Sequence, residues 1–474
     1  MAQTNSDFAI GFASQLKELD GVSLPVQGVV PDWLSGNLVR NGPAQFEAGQ
    51  ESYRHWFDGL AKLHKFSFAA GHVKLSSKFL ETEAYTKAIS ENRVALPEFA
   101  TNPRRSLWEK LSAVFNQQLT DNANVNIVSV ANHYLALTET TKATEFEIGR
   151  LSTKGPFAYS DELKGQVTTA HPHYDFDRKC LYNLLIKLGP SSSYVIYRLD
   201  EGSTQRRPIA SIAVKEPAYF HSFAMSANYI ILVECPLVVN PLNLLIGQRT
   251  YIESYSWKPK QGTKISVYSK DDGQLIVRAE TESMFCFHHV NAFERDGQLL
   301  VDLLAYADNQ IIESTYLSNL RSDKGQIPLA KLRRLSIDIA SGNVNDEYLS
   351  PLGFELGRIH YEKFNGKPYR YLYAPGQVPG RTGKQFLDQL VKFDLEKNEA
   401  LFWQQDLCYP GEPVFISRPG ANNEDDGVLV SVVLDAGMQQ SFLLILDAQT
   451  MNELARLEIP MIVPFGFHGQ FCRT

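Results

Sequence analysis

The sequence has few cysteines and no cysteine motif. Its 474 residues contain only five, far from one another along the chain and without a Cys-x-x-Cys pair. They are Cys180, Cys235, Cys286, Cys408 and Cys472. This spacing argues against a disulfide framework and against a cysteine metal site, so a reducing cytoplasm is the expected compartment.

Long apolar runs are also missing. The longest, Tyr229–Val239, is interrupted by Glu234 and is shorter than the roughly 20 residues that cross a bilayer. Near the start, Asp7 precedes a short apolar stretch, Phe8–Ala13, without the basic region and longer apolar core of a signal peptide. We therefore expect a protein that is neither secreted nor membrane-spanning.

Charge of one sign is not concentrated anywhere. The net charge is −7, from 46 Lys and Arg against 53 Asp and Glu, and no long charge run occurs. A nucleic-acid partner would require a basic face, so none is expected. Hydrophobic residues make up 44% and charged residues 21%, which supplies a sizeable core and excludes a disordered chain.

The dominant pattern is one of short strands. After about residue 20, apolar segments rich in Val, Ile, Leu, Tyr and Phe alternate with turn signals, which predicts an all-β fold. Four Asx-Gly pairs indicate tight turns between strands: Asp272-Gly273, Asp296-Gly297, Asn365-Gly366 and Asp426-Gly427. No linker divides the chain, so we expect one domain over residues 1–474, with about 20 residues of N-terminal extension.

An all-β chain of this length must hide its sheet edges. A propeller of roughly 4 to 8 four-stranded blades does so economically, and a large sandwich or two barrels are alternatives. Seven blades would take about 68 residues each, but the sequence has no clear repeat of that period. Periodicity therefore leaves the number of blades open.

Two stretches depart from the strand pattern. Arg104–Leu119 has apolar residues at helical spacing and predicts an amphipathic helix. Pro236–Ile246 is rich in Leu and Val and is punctuated by Pro236 and Pro241. Both stretches can dip into a membrane interface, or they can pack as a helix and a loop across the top of the fold.

Four of the eleven histidines have similar surroundings. Each stands beside aromatic or small residues at an apparent strand start: His171, His221, His288 and His468. Their separations of 50, 67 and 180 residues are too wide for a local zinc motif, but they suit ligands that meet on the axis of a propeller. A histidine taken alone is more often a hydrogen-bonded structural residue, so the prediction rests on the set.

Four imidazoles do not identify a metal, because iron, zinc, copper and nickel all accept this ligand. Four neutral nitrogens leave an octahedral ion two open positions, which is a catalytic arrangement. Ligating imidazoles usually donate their second N–H to a carboxylate. Glu139, Glu355 and Glu412 stand in apolar or turn contexts that suit this role, although exposed turn residues would look similar.

At this point the sequence resembles the carotenoid cleavage oxygenase family over essentially its whole length. The resemblance rests on Trp33–Pro43, on His55–Gly59 and on the four histidine motifs in order. Further matching stretches are Phe364–Tyr369, Gly411–Phe415, Asn423–Gly427 and Leu443–Leu446. The sequence is most similar to the animal branch, which contains the β-carotene oxygenases and the retinoid isomerase of the eye.

The resemblance implies a seven-bladed propeller with a helical and loop cap over an axial Fe(II). The family pattern places the iron ligands at His171, His221, His288 and His468, with His173 a bystander. The family pattern also implies one orienting carboxylate for each of the last three ligands: Glu139 for His221, Glu355 for His288 and Glu412 for His468. Positions lining the nonpolar tunnel or facing the open iron sites match Phe57, Thr138 and Phe467.

The implied activity is cleavage by O2 of a conjugated double bond in a carotenoid or apocarotenoid, giving aldehyde or ketone products such as apocarotenoids or retinal. No catalytic residue beyond the metal centre and no obligate protein partner is expected. The tunnel would open at a membrane-facing patch, so the predicted location is cytoplasmic with peripheral membrane association.

Three other functions share this scaffold. Stilbene-cleaving relatives carry a lysine where Thr138 stands, and the cysteine motif that helps anchor the eye isomerase is absent after Pro103. These departures weaken the stilbene-cleaving and retinoid isomerase-hydrolase alternatives. A noncatalytic carotenoid-binding propeller is the third, and the presence of all four histidines and three glutamates argues against it.

Overall fold

The computed structural model describes residues 6–104, 118–245 and 249–473. These residues form mainly antiparallel β-sheets, which confirms the predicted β class. The helix expected over Arg104–Leu119 lies almost entirely outside the described residues. Of the Pro236–Ile246 stretch, the backbone is described to Leu245.

Three sheets are built mainly from the first half of the chain. In order across each sheet, the first contains Leu19–Ser23, His72–Phe79, Leu60–Ala69, Gly36–Gln45 and Gly469–Cys472. The second contains Ser152–Pro156, Thr144–Glu147, His133–Leu137 and Asn126–Val130. The third contains Val167–Thr168, Cys180–Lys187, Ser193–Asp200 and Arg207–Ala213, with His173–Asp175 also paired to Cys180–Lys187.

Three further sheets use the second half. The fourth contains Ala224–Met225, Tyr229–Glu234, Thr263–Ser269 and Leu275–Thr281. The fifth contains Phe285–Arg295, Gln298–Tyr306, Ala330–Asp338, Val344–Phe354, Tyr371–Gly376, Gln389–Asp394 and Glu399–Gln404. The sixth contains Val26–Gly28, Glu453–Ile459, Gln440–Asp447, Gly427–Asp435 and Cys408–Pro410, with Val414–Ser417 also paired to Gly427–Asp435.

The remaining elements are short. Two-stranded pairs join Leu237–Val239 to Tyr255–Trp257 and Glu47–Ala48 to Glu51–Ser52. Among the described residues, the α-helices are Glu83–Glu91, Pro241–Leu245, Gln310–Ser314, Leu317–Leu320 and Tyr361–Phe364. Short 3-10 helices span Asp7–Phe12, Trp56–Asp58, Ile252–Ser254 and Pro259–Gln261. Within the described ranges, none of the helices has the length and apolar character needed to cross a bilayer.

Burial falls from inner to outer strands of a sheet. Gly427–Asp435, a nearly continuous apolar run, is buried along most of its length, as expected for a strand covered on both faces. Glu399–Gln404, at the edge of its sheet, is largely exposed. The alternation of apolar and polar residues in the sequence therefore marks position within a sheet.

Two of the four Asx-Gly pairs, Asp272-Gly273 and Asp296-Gly297, lie in turns between paired strands. At Asp296-Gly297 both residues have positive φ, 51° and 78°, as a two-residue hairpin turn requires. The expectation of a tight turn between strands is wrong at the other two pairs. Gly427 is already the first residue of the strand Gly427–Asp435, where it pairs with Ser417 across a longer loop. The second such pair is Asn365-Gly366. This pair follows the helix Tyr361–Phe364 and is held by Asn291, whose side-chain oxygen accepts from the Gly366 N–H at 2.9 Å.

The two ends of the chain are paired into each other's sheets. The C-terminal strand Gly469–Cys472 adds to Gly36–Gln45, and the N-terminal strand Val26–Gly28 adds to Glu453–Ile459. Each of these sheets therefore depends on strands more than 400 residues apart in the chain.

One close backbone approach secures this closure. The Asn41 N–H donates to the His468 carbonyl at 2.9 Å, and the Phe467 N–H donates to the Asn41 carbonyl at 3.1 Å. Beside them, a Cβ atom added at Gly42 would lie 2.4 Å from the Gly466 Cα, which is backbone and cannot rotate away. Glycine at position 42 is therefore required by packing.

We expect Gly42→Ala to lower the free energy of unfolding by about 1–3 kcal/mol, because the added methyl must push the Gly466 backbone away. Thermal unfolding of the purified variant measures the loss. Gly189→Ala is the matched control, since a Cβ there meets nothing within 4 Å. Equal melting temperatures for the two variants would contradict the packing role of Gly42.

Candidate metal centre

Four separate segments deliver the histidines. His171 lies between the strands Val167–Thr168 and His173–Asp175, and His221 precedes Ala224–Met225. His468 directly precedes Gly469–Cys472. His288 lies inside the strand Phe285–Arg295, where the pairing register with the neighbouring strand is irregular. Such irregularities change the direction of a side chain, which is why they are common beside functional sites.

The four rings meet. One nitrogen from each lies within 4.8 Å of the others, so the group can hold a metal ion. The Nε2 atoms of His171 and His221 are 3.0 Å apart, and those of His288 and His468 are 3.2 Å apart. Imidazole nitrogens bind iron, zinc, copper and nickel, so the donor set is compatible with several metals.

Burial keeps these rings in the form that binds metals. Burial, followed by the neighbouring histidines, holds the pKa values of His171 and His221 well below their usual range. Burial also lowers the pKa of His468, to about 4, although Glu412 acts in the opposite direction. Neutral imidazole is the metal-binding form, so these three rings are prepared for a cation at neutral pH.

Each of three rings contacts one glutamate through its Nδ1 atom. His221 and Glu139 are 2.6 Å apart, and His288 and Glu355 are also 2.6 Å apart. These contacts are the carboxylate–imidazole contacts that fix ring orientation in metal sites. The third pair follows the same pattern, with His468 Nδ1 2.8 Å from a Glu412 oxygen. Within the described ranges, no carboxylate lies within ion-pair distance of the His171 ring.

The three glutamates are supported differently. Glu139 accepts a hydrogen bond from the Tyr219 hydroxyl at 2.7 Å. Glu355 accepts one from the Tyr306 hydroxyl at 2.7 Å. Burial raises the pKa of Glu139 to about 8, and the Tyr219 hydrogen bond opposes that shift. Burial also acts to raise the pKa of Glu355, but the His288 ring and the Tyr306 hydroxyl bring it below its usual value.

Glu412 is bound by arginines. The Arg40 guanidinium donates to one carboxylate oxygen at 2.5 Å, and Arg358 approaches the other at 3.4 Å. Burial would raise the pKa of Glu412, but the charges of Arg358 and Arg40 hold it well below the usual range. The fully buried Glu412 is therefore an ionised member of a buried charge network.

Two neighbouring histidines stand outside the cluster. His173 contacts the Phe223 carbonyl through Nε2 at 2.9 Å and the Tyr361 hydroxyl through Nδ1 at 3.0 Å. His289 contacts the Ser222 hydroxyl at 2.8 Å. Both rings are used for hydrogen bonds between segments of the chain.

The histidine cluster borders an apolar cavity. Of the expected tunnel residues, Phe57 and Phe467 line it. Thr138 is buried directly before Glu139 and is not among the described residues that line this cavity. Sequence reasoning missed further lining residues, namely Trp56, Phe287, Tyr306, Ile327, Pro328, Leu329, Phe386 and Leu387. Trp56 and Phe287 stand next to recognised motif positions, whereas segments 327–329 and 386–387 carry no signal.

We expect Glu412→Gln to lower the free energy of unfolding by about 3–5 kcal/mol, because it leaves the buried Arg40 charge without its partner. Chemical denaturation measures the loss. Glu139→Gln is the matched comparison, since its partners, the Tyr219 hydroxyl and the neutral His221 ring, carry no charge and a smaller loss is expected. Equal losses would show that the arginine contact does not stabilise the fold.

Comparison with known proteins agrees with this geometry. A family model described as retinal pigment epithelial membrane protein matches residues 12–473. The chain is 34% identical to the mitochondrial carotenoid-cleaving dioxygenase of Homo sapiens, over 95% of this chain and 88% of that protein. It is 31% identical to the β,β-carotene 15,15'-dioxygenase of Homo sapiens, over 96% of this chain and 93% of that protein. The solved structure of a cobalt-substituted apocarotenoid oxygenase from Synechocystis matches with a TM-score of 0.89 at 29% identity, covering 99% of this chain and 98% of that one. The chain therefore belongs to the retinal pigment epithelial membrane protein family, the carotenoid oxygenase family that its sequence motifs indicate.

Proposed function

We propose that this protein is an Fe(II)-dependent dioxygenase that cleaves a conjugated C=C bond of a carotenoid or apocarotenoid. The observation that carries the proposal is the four-histidine cluster at the wall of an apolar cavity. An apolar cavity suits a polyene, which has no charge and few polar atoms. The names of the relatives support the same chemistry, because they are carotenoid- and carotene-cleaving dioxygenases.

The residues present fit a bound iron. His171, His221, His288 and His468 would hold it, and Glu139, Glu355 and Glu412 would orient the last three rings. Four neutral nitrogens leave positions free for a small molecule, as catalytic metal sites require. When bound, Fe(II) supplies the activation of O2 for the reaction.

The reaction balances without an added proton or reductant. The C=C bond breaks, and each of its two carbons takes one oxygen atom of O2, giving two carbonyl products. A general acid or base is therefore unnecessary. The protein contributes by positioning one double bond beside the metal site and by excluding water.

Aromatic side chains provide the positioning surface. The Phe57 ring lies edge-to-face on Phe467, with centroids 5.1 Å apart, and stacks at 6.2 Å on the ligand-candidate His221. Phe287 contacts both Phe57 and His221 edge-to-face. The cavity wall and the metal site are thus packed against each other, so changes in the wall alter which carbons face the metal. Thr138 precedes Glu139 and is not among the described residues that line the cavity. We propose that it faces the open positions of the metal.

We propose a single domain with seven propeller blades. Five of the six larger sheets would each be one blade, and the seven-stranded sheet would be two. The two parts of that sheet are joined only by the Phe354–Gly376 pair, whereas its other neighbouring strands are paired over many residues. The interleaved chain ends would close the ring.

We also propose a cytoplasmic protein in peripheral contact with a membrane, from which the substrate enters. Leu242 in the short helix Pro241–Leu245 is 53% exposed, which suits insertion into a lipid interface. The preceding Leu237–Val239 is buried and packs in the core instead. Of the described part of Pro236–Ile246, the membrane contact would therefore involve the helix Pro241–Leu245.

The first experiment is iron quantification in protein purified without oxygen, followed by addition of O2 and β-carotene or an apocarotenal. We expect about one iron per chain, as four converging imidazoles imply, and two carbonyl fragments identified by mass spectrometry. His171→Ala should lose both iron and cleavage. The exposed His72→Ala is the control and should keep them.

Each other outcome overturns part of the proposal. Iron without oxygen-dependent cleavage of any polyene would favour the isomerase-hydrolase or stilbene-cleaving alternatives. A metal-free protein that still binds polyene would favour a binding protein. Full iron occupancy in His171→Ala would remove that residue from the ligand set.

Cavity substitutions should move the cleavage position. In Phe57→Leu and Phe467→Leu, cleavage at the native bond should slow about tenfold or more, because the bond is held out of register with the metal. Fragment lengths in the products measure the shift. Phe402→Leu, 45% exposed on the outer strand Glu399–Gln404, is the control, and an unchanged product pattern in both cavity variants would contradict the positioning role.

A further inference from the structure

One of the three ring-orienting glutamates differs from the others in its surroundings. Glu355 lines the apolar cavity, whereas Glu139 and Glu412 are not among the described residues that line it. A carboxylate in an apolar wall attracts water unless its oxygens are already hydrogen-bonded. Water beside the metal site would compete with a polyene for the same space.

Both Glu355 oxygens accept hydrogen bonds within the protein. One oxygen accepts from His288 Nδ1 at 2.6 Å and from the Leu356 N–H at 2.8 Å. The other accepts from the Tyr306 hydroxyl at 2.7 Å, its only donor in the described part of the chain. The shielding of this second oxygen therefore depends on a single hydroxyl group.

Tyr306 is placed rigidly for this contact. It ends the strand Gln298–Tyr306, where it pairs with Phe285, and its side chain is buried. Its ring packs edge-to-face against Phe287 with centroids 6.1 Å apart, and both rings line the cavity. The tyrosine therefore presents an apolar ring to the cavity and its hydroxyl to the carboxylate.

We propose that Tyr306 is a positioning residue that caps the second oxygen of Glu355, the one not bound by His288, and that this contact fixes the His288 ring and keeps water out of the polyene cavity. The functional consequence rests on the proposed iron dioxygenase function. Tyr306 caps Glu355 whether or not a metal is bound. The capping role and the dioxygenase function can therefore be tested separately.

Tyr219 provides an internal comparison. Its hydroxyl donates to Glu139 at 2.7 Å, the same distance as in the Tyr306–Glu355 pair. Neither Tyr219 nor Glu139 is among the described residues that line the cavity. Loss of either hydroxyl removes a hydrogen bond from a ring-orienting carboxylate, but only loss of the Tyr306 hydroxyl uncovers a carboxylate oxygen at the cavity wall.

The test compares Tyr306→Phe with Tyr219→Phe in protein loaded with Co(II), whose visible spectrum reports the ligand environment. We expect Tyr306→Phe to weaken Co(II) binding by up to about tenfold, at the low end of losses for groups that support metal ligands. A crystal structure of the variant should show a new water within hydrogen-bond distance of the uncovered Glu355 oxygen. The corresponding Tyr219→Phe structure should show no new water in the cavity.

Unchanged Co(II) affinity together with a dry cavity in Tyr306→Phe would overturn the proposal, as would the same new cavity water in both variants. Glu355→Gln supplies a second check, because the neutral amide needs the cap less. The Tyr306→Phe effect on Co(II) affinity should be smaller in the Glu355→Gln background, and an equal effect would also count against capping.

Turnover separates this proposal from the proposed function. If the wild-type protein cleaves a polyene, Tyr306→Phe should raise the KM for that polyene more than Tyr219→Phe does, because water competes with the polyene for the cavity. An equal KM in the two variants would overturn the water-exclusion role. If the wild-type protein cleaves no polyene, the dioxygenase function fails, while the Co(II) and water measurements still decide whether Tyr306 caps Glu355.

Discussion

The contact between a buried carboxylate and a buried imidazole is the interaction on which the site depends. Four neutral rings a few ångströms apart have no attraction that would keep their nitrogens facing one point. Side chains on the far side of the rings must therefore hold them in this orientation. Glu139, Glu355 and Glu412 supply it through the Nδ1 atoms. Burying three carboxylates is unfavourable unless each is hydrogen-bonded, and this requirement accounts for Tyr219 and Tyr306.

The same requirement joins the metal site to the closure of the fold. Arg40 lies on the strand that accepts the C-terminal strand, and its guanidinium binds Glu412, which holds His468. The adjacent Asn41 bonds the backbone on both sides of this contact, and Gly42 lets the backbones approach. Separation of the chain ends would therefore remove one histidine from the cluster, so folding and metal binding are coupled here.

The cavity depends less on particular residue types than the metal site does. Its wall needs apolar surface of the right shape, and many residue types can supply that. Residues 327–329 and 386–387 therefore resemble ordinary loop residues in the sequence, although they complete the wall. Phe386 also packs on Phe8 and Phe12 of the N-terminal turn, so the cavity wall is backed by residues from a distant part of the chain.

Short local patterns in the sequence were enough to predict the mainly β class, the family and the four histidines that converge, and the family motifs pointed to the three glutamates beside them. The sequence misjudged two Asx-Gly pairs. Gly427 is the first residue of a strand, and a contact with the distant Asn291 holds Asn365-Gly366 beside a helix. Three features could be seen only in the tertiary structure: the groups that support each glutamate, the apolar residues that enclose the cavity, and the pairing of the strands at the two chain ends. These depend on contacts between residues far apart in the chain, and burial, hydrogen-bond geometry and shape are properties of the packed whole.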